Sequence, residues 1–407
     1  MQENERDYPN ISKFRLLFFT LHHLTSPKYI KHILQANNKN YVKGFDQKPM
    51  KQVLGEGLLT NEGEAWRKKR KCLQPFFYKK KMIDYFDDMV HLTQETIQKL
   101  EQSPQDNSTD VHKTMGQLTV QIVSKCLFDY RVETDLDDAM RMLLNRTYDQ
   151  IVGSALPLWI PTRANLSYRR KRKEIDTLVQ EIMSKIPNST AGSFLNLFKN
   201  GSTSGCPFTK KQTRDEIMTM FLAGHETTAN AIAFTIYLLT QHPMAEARLR
   251  TELNEVLAGQ PPTFEQLDQL TFTRKIIMES LRLYPPAWGT SRHALQEDEI
   301  DGYRIPKKKL VNVLPFVMHR SSRFWKKPEQ FDPDRFDQEH DKYVYFPFGG
   351  GPRKCIGEHF ATMEMILVVA MLYQRFTFRH DAKRPIELSA KITLRSKTGV
   401  WVFVKEN

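Results

Sequence analysis

Apolar residues recur mostly at three- and four-residue spacing along this chain, a pattern that predicts amphipathic helices over long stretches. Near the start, two apolar, β-rich stretches at 14–19 and 20–24 predict short strands around a tight bend. Ser26-Pro27 then opens a helix that puts Ile30, Ile33 and Leu34 on one face. Residues 64–151 read as successive amphipathic helices, separated by the polar loop 103–109. Two turn-rich patches, PNSTAGS and KNGSTSGC, lie within 186–206 and read as surface connections.

Thr209 with Gln212, and Thr213 with Glu216, both have capping-box spacing. From there a helix runs to about Gln241, where His242-Pro243 stops it. Ile217, Met218, Phe221, Leu222, Ala229, Ile232, Phe234, Ile236 and Leu239 make it apolar on most sides. Such a helix belongs at the centre of a fold. Helices follow over 243–259 and 272–284. From Pro285 onwards prolines become dense and short strands replace helices, as at 310–316. The end, 391–405, alternates as a hairpin around Ser396-Lys397-Thr398-Gly399. The fold class expected is mainly α with small antiparallel β-sheets.

Charge changes this picture little. The 407 residues hold 60 Lys and Arg against 47 Asp and Glu, a net charge of +13. Basic runs at 67–71, 79–81 and 169–173 come with no nucleic-acid-binding motif, which leaves an anionic membrane, an acidic protein partner or a plain solvated surface as readings of the excess. The four cysteines, Cys72, Cys126, Cys206 and Cys355, form no metal-ligand spacing, and their scatter fits a reducing cytosol rather than a disulfide framework. No apolar run reaches the roughly 20 residues that span a bilayer. The polar start is not a signal peptide. A soluble, cytoplasmic monomer is expected, with peripheral membrane contact left open.

The densest chemistry is Phe348-Gly-Gly-Gly351-Pro-Arg353-Lys-Cys355-Ile-Gly357. Glycines and a proline force a tight loop, and a helix from about Glu358 follows. Cys355 therefore sits just ahead of a helix N-terminus, where backbone N–H groups favour a thiolate. This stretch resembles the haem-binding loop of the cytochrome P-450 family, Phe-x-x-Gly-x-Arg-x-Cys-x-Gly, at every fixed position. The resemblance implies haem b with Cys355 as the axial iron ligand, the thiolate pushing electron density onto the metal. Phe348 would shield the sulfur.

Other motifs resemble the family in the same order. Glu279-Ser-Leu-Arg282 and Arg335 match a three-residue network behind the haem loop. By spacing alone, Glu279 and Arg282 are an ordinary surface pair. Ala223-Gly224-His225-Glu226-Thr227-Thr228 matches the distal stretch of the central helix. There Thr227 would steady the iron-bound oxygen, Glu226 would serve a proton path, and Gly224 would let the helix open locally. From the residues alone, a hydroxyl bonded to the carbonyl four residues back and a solvated Glu226 are as good an account. Trp66 and Arg70, four residues apart on one helical face, match propionate-binding positions, as do Arg292 and Arg353. Ala223 stands where the fatty-acid ω-hydroxylase branch carries a haem-esterified Glu, so no ester link is expected.

The resemblance implies one haem domain over 1–407, with a shortened N-terminal lead. It implies a monooxygenase that uses O2, two electrons and an apolar substrate such as a fatty acid, terpenoid or sterol. With the chain ending at Asn407, a separate ferredoxin, flavodoxin or reductase is expected to supply electrons. Its docking surface would be the basic stretch from Arg67 to Lys81, Lys68 and Lys69 included, although a solvated cationic helix face accounts for the same stretch equally well. Residues 151–166, the helix before Ala223, and 285–289 would line the substrate pocket, with Trp159 and Trp288 as bulky walls. Two other readings stand beside this one. One is a peroxide-driven peroxygenase or isomerase on the same fold, which the Glu226–Thr227 pair disfavours. The other is a non-catalytic haem-binding protein.

Overall fold

The structure is a computed structural model that describes residues 10–16, 19–44, 47–102, 107–132, 135–199, 206 and 208–407. In chain order its elements begin with strands β1 (Ile11–Leu16) and β2 (Phe19–Leu24), helix α1 (Pro27–Lys31) and strand β3 (Tyr41–Lys43). Helices α2 (Gln47–Leu54), α3 (Gly63–Leu73) and α4 (Ile83–Glu101) follow, then β4 (Thr109–Asp110). Next come α5 (Val111–Phe128), α6 (Asp137–Ile151), α7 (Arg163–Lys185), α8 (Phe194–Lys199), α9 (Lys210–Gln241), α10 (Pro243–Leu257) and α11 (Thr271–Leu283). Strands β5 (Thr290–Ala294), β6 (Asp298–Ile300), β7 (Tyr303–Ile305) and β8 (Leu310–Val313) lead to α12 (Pro315–Met318) and α13 (Glu358–Arg375). The chain closes with β9 (Phe376–His380), β10 (Leu388–Ala390), β11 (Leu394–Ser396) and β12 (Trp401–Glu406). The fold is mainly α with small sheets, as the periodicity predicts. Among the described residues no helix is long and apolar enough to cross a membrane.

The chain forms two compact units, one from 1–46 with 274–356, the other from 47–273 with 357–407. In the first, five strands lie in the order β1-β2-β8-β5-β3. The predicted early strands are there as β1 and β2; the bend between them, 17–18, lies outside the described residues. All pairings in this sheet are antiparallel except β2 with β8. Ile30, Ile33 and Leu34 are buried beneath the sheet with Val311, Val313 and Met318. The helix expected after Pro27 is short, and a π turn, His32–Ala36, continues it.

The second unit is built around α9. Its start is a complete capping box: Gln212 N–H donates to Thr209 Oγ1 at 3.2 Å, and Thr209 N–H to Gln212 Oε1 at 2.9 Å. Thr213 and Glu216, the alternative box, lie inside the helix; Glu216 instead accepts from Lys69 Nζ at 2.8 Å and from Leu58 N–H at 2.9 Å. The helix ends at Gln241, before the proline, as expected. Between Asp215 and Ile236 every residue is buried except Ala223, Gly224 and Thr227. It crosses α5 closely, because a Cβ at Gly224 would stand 2.8 Å from Val123 Cγ2.

Two expectations are corrected here. The terminal hairpin over 391–405 does not form. β11 pairs with β10, and β12 pairs with β9 and β4, burying Val402 and Val404. Ser396 Oγ donates to Gly399 O at 2.5 Å and closes a turn that sends the chain to a different sheet. The scattered cysteines do include a disulfide: Cys72 and Cys206 are joined, with Cα atoms 5.9 Å apart. Their 134-residue separation gave no spacing signal, and folding alone brings them together. Most of the second turn-rich patch, 200–205, lies outside the described residues, as does part of the loop 103–109.

Candidate functional site

In the first unit, the glycine run does steric work. Gly349 and Gly351 have φ of 72° and 66°, a region open to glycine at little cost. A Cβ on Gly351 would stand 1.9 Å from the backbone oxygen of Leu34 in the π turn, so no other residue fits. Tyr343 ties the same contact, its hydroxyl donating to Gln35 Oε1 at 2.6 Å. The turn then closes on itself: Gly349 N–H donates to Phe346 O, and Cys355 N–H to Phe348 O, both at 2.9 Å. Cys355 lies outside the disulfide and is exposed at the end of this turn. Phe348 and Arg353 are half-buried within it.

Behind the turn lies a buried charge network. Arg282 Nε and Nη2 donate to the two oxygens of Glu279 at 2.7 and 2.8 Å. Arg335 Nε reaches Glu279 Oε1 at 3.3 Å, and the Asp332 N–H adds a bond at 2.9 Å. Arg282 also donates to the carbonyls of His319, Pro328 and Gln330. Glu279 and Arg282 are fully buried, so the surface pair that spacing alone suggests is not what forms. Arg292, on β5, donates to Thr290 Oγ1 at 2.7 Å and to Ser291 O at 2.8 Å.

In the second unit, Ala223, Gly224 and Thr227 share one face of α9, the only part of its central stretch not covered. Thr227 Oγ1 donates to Ala223 O at 2.7 Å, so its hydroxyl hydrogen is committed and its lone pairs remain acceptors. The helix is continuous through Gly224. Glu226 is not solvated. It is buried, with Oε1 at 3.6 Å from Arg395 Nη1, and Arg395 in turn donates to Asn145 Oδ1 at 2.7 Å. Burial, set against the Glu226 charge, lowers the pKa of Arg395 below its ordinary value.

The preceding residue, His225, is also buried, with Nε2 at 3.2 Å from Asp137 Oδ1. Burial pushes the Asp137 carboxyl up, but His225 and Arg141 outweigh it and hold the group below the usual carboxylate range. Gly116 makes the approach feasible, since a Cβ there would lie 2.6 Å from Asp137 Oδ1. His112 Nε2 meets Asn230 Oδ1 at 2.5 Å, and burial lowers the His112 pKa. No sequence pattern marks Arg395, Asp137 or His319. Arg395 and Asp137 are far in sequence from the residues they meet, and only their unusual burial as charged groups marks them.

On α3, Trp66 is buried and the Arg70 guanidinium lies 6.0 Å from its ring centroid. Lys69 is buried too and paired with Glu216, which removes it from any docking surface. Lys68, Lys71, Lys79 and Lys80 are exposed. Trp159, expected to wall a pocket, is 77% exposed, and Val152, Leu156 and Leu166 near it are exposed as well.

The first unit by itself presents a soft sulfur on a rigid turn, with arginines in the same unit, chemistry that fits a haem. The second unit by itself carries a bare strip of small side chains on a buried helix. Comparison with known proteins agrees. The cytochrome P-450 family model matches residues 1–403. A putative cytochrome P-450 of Mycobacterium tuberculosis (strain CDC 1551 / Oshkosh) is 31% identical over 421 residues, covering 97% of this chain and 90% of the relative. The cyclooctat-9-en-7-ol 5-monooxygenase of Streptomyces melanosporofaciens is 31% identical over 366 residues, 87% of this chain and 79% of that one. Protein LUTEIN DEFICIENT 5, chloroplastic, of Arabidopsis thaliana is 29% identical over 425 residues, 96% and 71% respectively. The chain belongs to the cytochrome P-450 family. It is a haem-binding monooxygenase of that family.

Proposed function

We propose that Cys355 is the thiolate ligand of the haem and that the enzyme hydroxylates a lipid-like apolar substrate. The observation that carries this is the exposed Cys355 on a turn that only glycine at 351 permits, backed by the buried Glu279–Arg282–Arg335 network. Trp66, Arg70, Arg292 and Arg353 would hold the haem carboxylates, and Phe348 would cover the sulfur. Bound haem supplies activation of O2 with two electrons. The protein's own work is to hold, orient and deliver protons. Ala223 and Gly224 leave room beside the helix, and Thr227 offers its hydroxyl oxygen as an acceptor. Buried Glu226, held by Arg395, would be one station of a proton path beside Thr227, and this acid–alcohol pair favours O2 over peroxide as the oxidant. A substrate of fatty-acid, terpenoid or sterol type suits the small, uncharged strip of Ala223 and Gly224 on α9; a Streptomyces relative is named as a monooxygenase of cyclooctat-9-en-7-ol.

Electrons would come from a separate acidic carrier, with Lys68, Lys71, Lys79 and Lys80 as its docking surface. A cytoplasmic monomer fits if Cys72 and Cys206 are reduced there; the bonded pair suits an oxidising compartment. The test is the ferrous-minus-ferrous-CO difference spectrum of haem-loaded protein beside Cys355→His. A strongly red-shifted Soret band, lost in the variant, is the expected result. The band of a histidine-ligated haem in both proteins would overturn the assignment.

A further inference from the structure

His319 is fully buried just after α12, and it touches both halves of the machinery behind the thiolate turn. Its carbonyl accepts from Arg282 Nη1 at 2.6 Å, which makes it part of the Glu279–Arg282–Arg335 network. Its ring accepts from the chain that enters the turn: Phe346 N–H donates to Nε2 at 3.0 Å. The ring packs against Tyr345 and Phe346, with centroids 5.2 and 5.4 Å away. From Phe346 the bonds continue to the sulfur-bearing residue, through Gly349 N–H to Phe346 O and Cys355 N–H to Phe348 O.

The acceptor role fixes the chemistry of the ring. A nitrogen that accepts carries no hydrogen, so the neutral imidazole holds its proton on Nδ1. Protonation would place a second N–H against that of Phe346 and break the bond. The surroundings disfavour the cation. Arg282 on α11 and Arg320 on the following segment both face the ring, the Glu279 charge is already taken by Arg282 and Arg335, and Glu329 is taken by Arg320. Burial first, then these two guanidinium groups, hold the His319 pKa down at about 3.

We propose that His319 is a positioning residue for haem ligation: its Nε2 latches the Phe346 amide, and through it the register of the 346–355 turn, to the buried charge network. This rests on Cys355 being the ligand. Volume alone does not supply the role, because an apolar side chain would leave the Phe346 N–H buried without an acceptor, and its carbonyl-linked turn free to shift.

The experiment compares haem-loaded wild type, His319→Leu, His319→Gln and Cys355→His. His319→Leu should lose most of the thiolate-type CO Soret band. His319→Gln, whose amide oxygen can accept from Phe346, should keep it. Hydrogen exchange of the 346–355 amides should be faster in His319→Leu than in His319→Gln. An unchanged band and unchanged exchange in His319→Leu would overturn the proposal. If His319→Leu fails to fold, hydrogen exchange of folded His319→Gln decides. Its Phe346 amide should stay protected as in wild type, and loss of that protection while the CO Soret band is unchanged would refute the latch. A band retained in Cys355→His would instead sink the ligand assignment, which separates the two failures.

Discussion

Arg282 and Glu279 meet as a two-bond pair, 2.7 and 2.8 Å, with both side chains shut off from solvent. Two charges so placed are desolvated together, and each depends on the other for compensation. Arg282 spends its remaining hydrogens on three backbone carbonyls of the segments leading to the thiolate turn. The pair therefore fixes chain path rather than chemistry.

Removing one member leaves the other charged and buried. Glu279→Ala should cost about 3–5 kcal/mol of stability and abolish stable haem retention. Denaturant unfolding with the haem-to-protein absorbance ratio checks both; a loss below about 1 kcal/mol would mean the pair is dispensable.

Adjacent lysines on α3 should behave in opposite ways. Lys69→Met leaves Glu216 buried without its cation and should cost about 3–5 kcal/mol with no specific effect on the electron donor. Lys68→Glu with Lys71→Glu should leave stability alone and raise KM for an acidic carrier. That effect should fade as salt shortens the screening length to about 10 Å at 0.1 M. Steady-state kinetics at two ionic strengths, beside unfolding curves, separates them.

The Cys72–Cys206 bond ties the end of α3 to the segment just before the α9 capping box. Closing a loop of this length constrains the unfolded chain by up to about 5 kcal/mol. Dithiothreitol should therefore lower Tm, and alkylation under denaturing conditions should label two more cysteines after reduction than before. An unchanged Tm, with Cys72 and Cys206 labelled without reductant, would show the bond absent in solution.

Acid sensitivity should come partly from buried histidines. Burial holds His23 at about 4, and burial with two arginines holds His319 at about 3. Both lie below the unfolded value of about 6.5, so unfolding takes up protons as pH falls. Their contribution is complete above that value and is lost as pH drops toward the folded values, at up to about 1.4 kcal/mol per pH unit for each group. Urea midpoints at about pH 7 and about pH 5 should fall accordingly, and His23→Asn should flatten the slope. Equal midpoints in the wild type would contradict this.

Helical periodicity, the reach of α9 from its capping box to His242-Pro243, and the glycine turn at Cys355 are all legible in the order of the amino acids. Each of these is written in residues close together along the chain, where spacing and backbone freedom act directly. The same local reading gave the wrong partner for β11 and no disulfide, and it left a solvated Glu226 standing beside a buried one. Tertiary structure decided those, and it decided that Lys69, Glu279 and Arg282 are interior. The cost of burying a charge depends on what else is buried beside it. The partners are Glu216 for Lys69, Arg395 for Glu226, and Cys206 for Cys72, all distant in sequence and brought close only by packing.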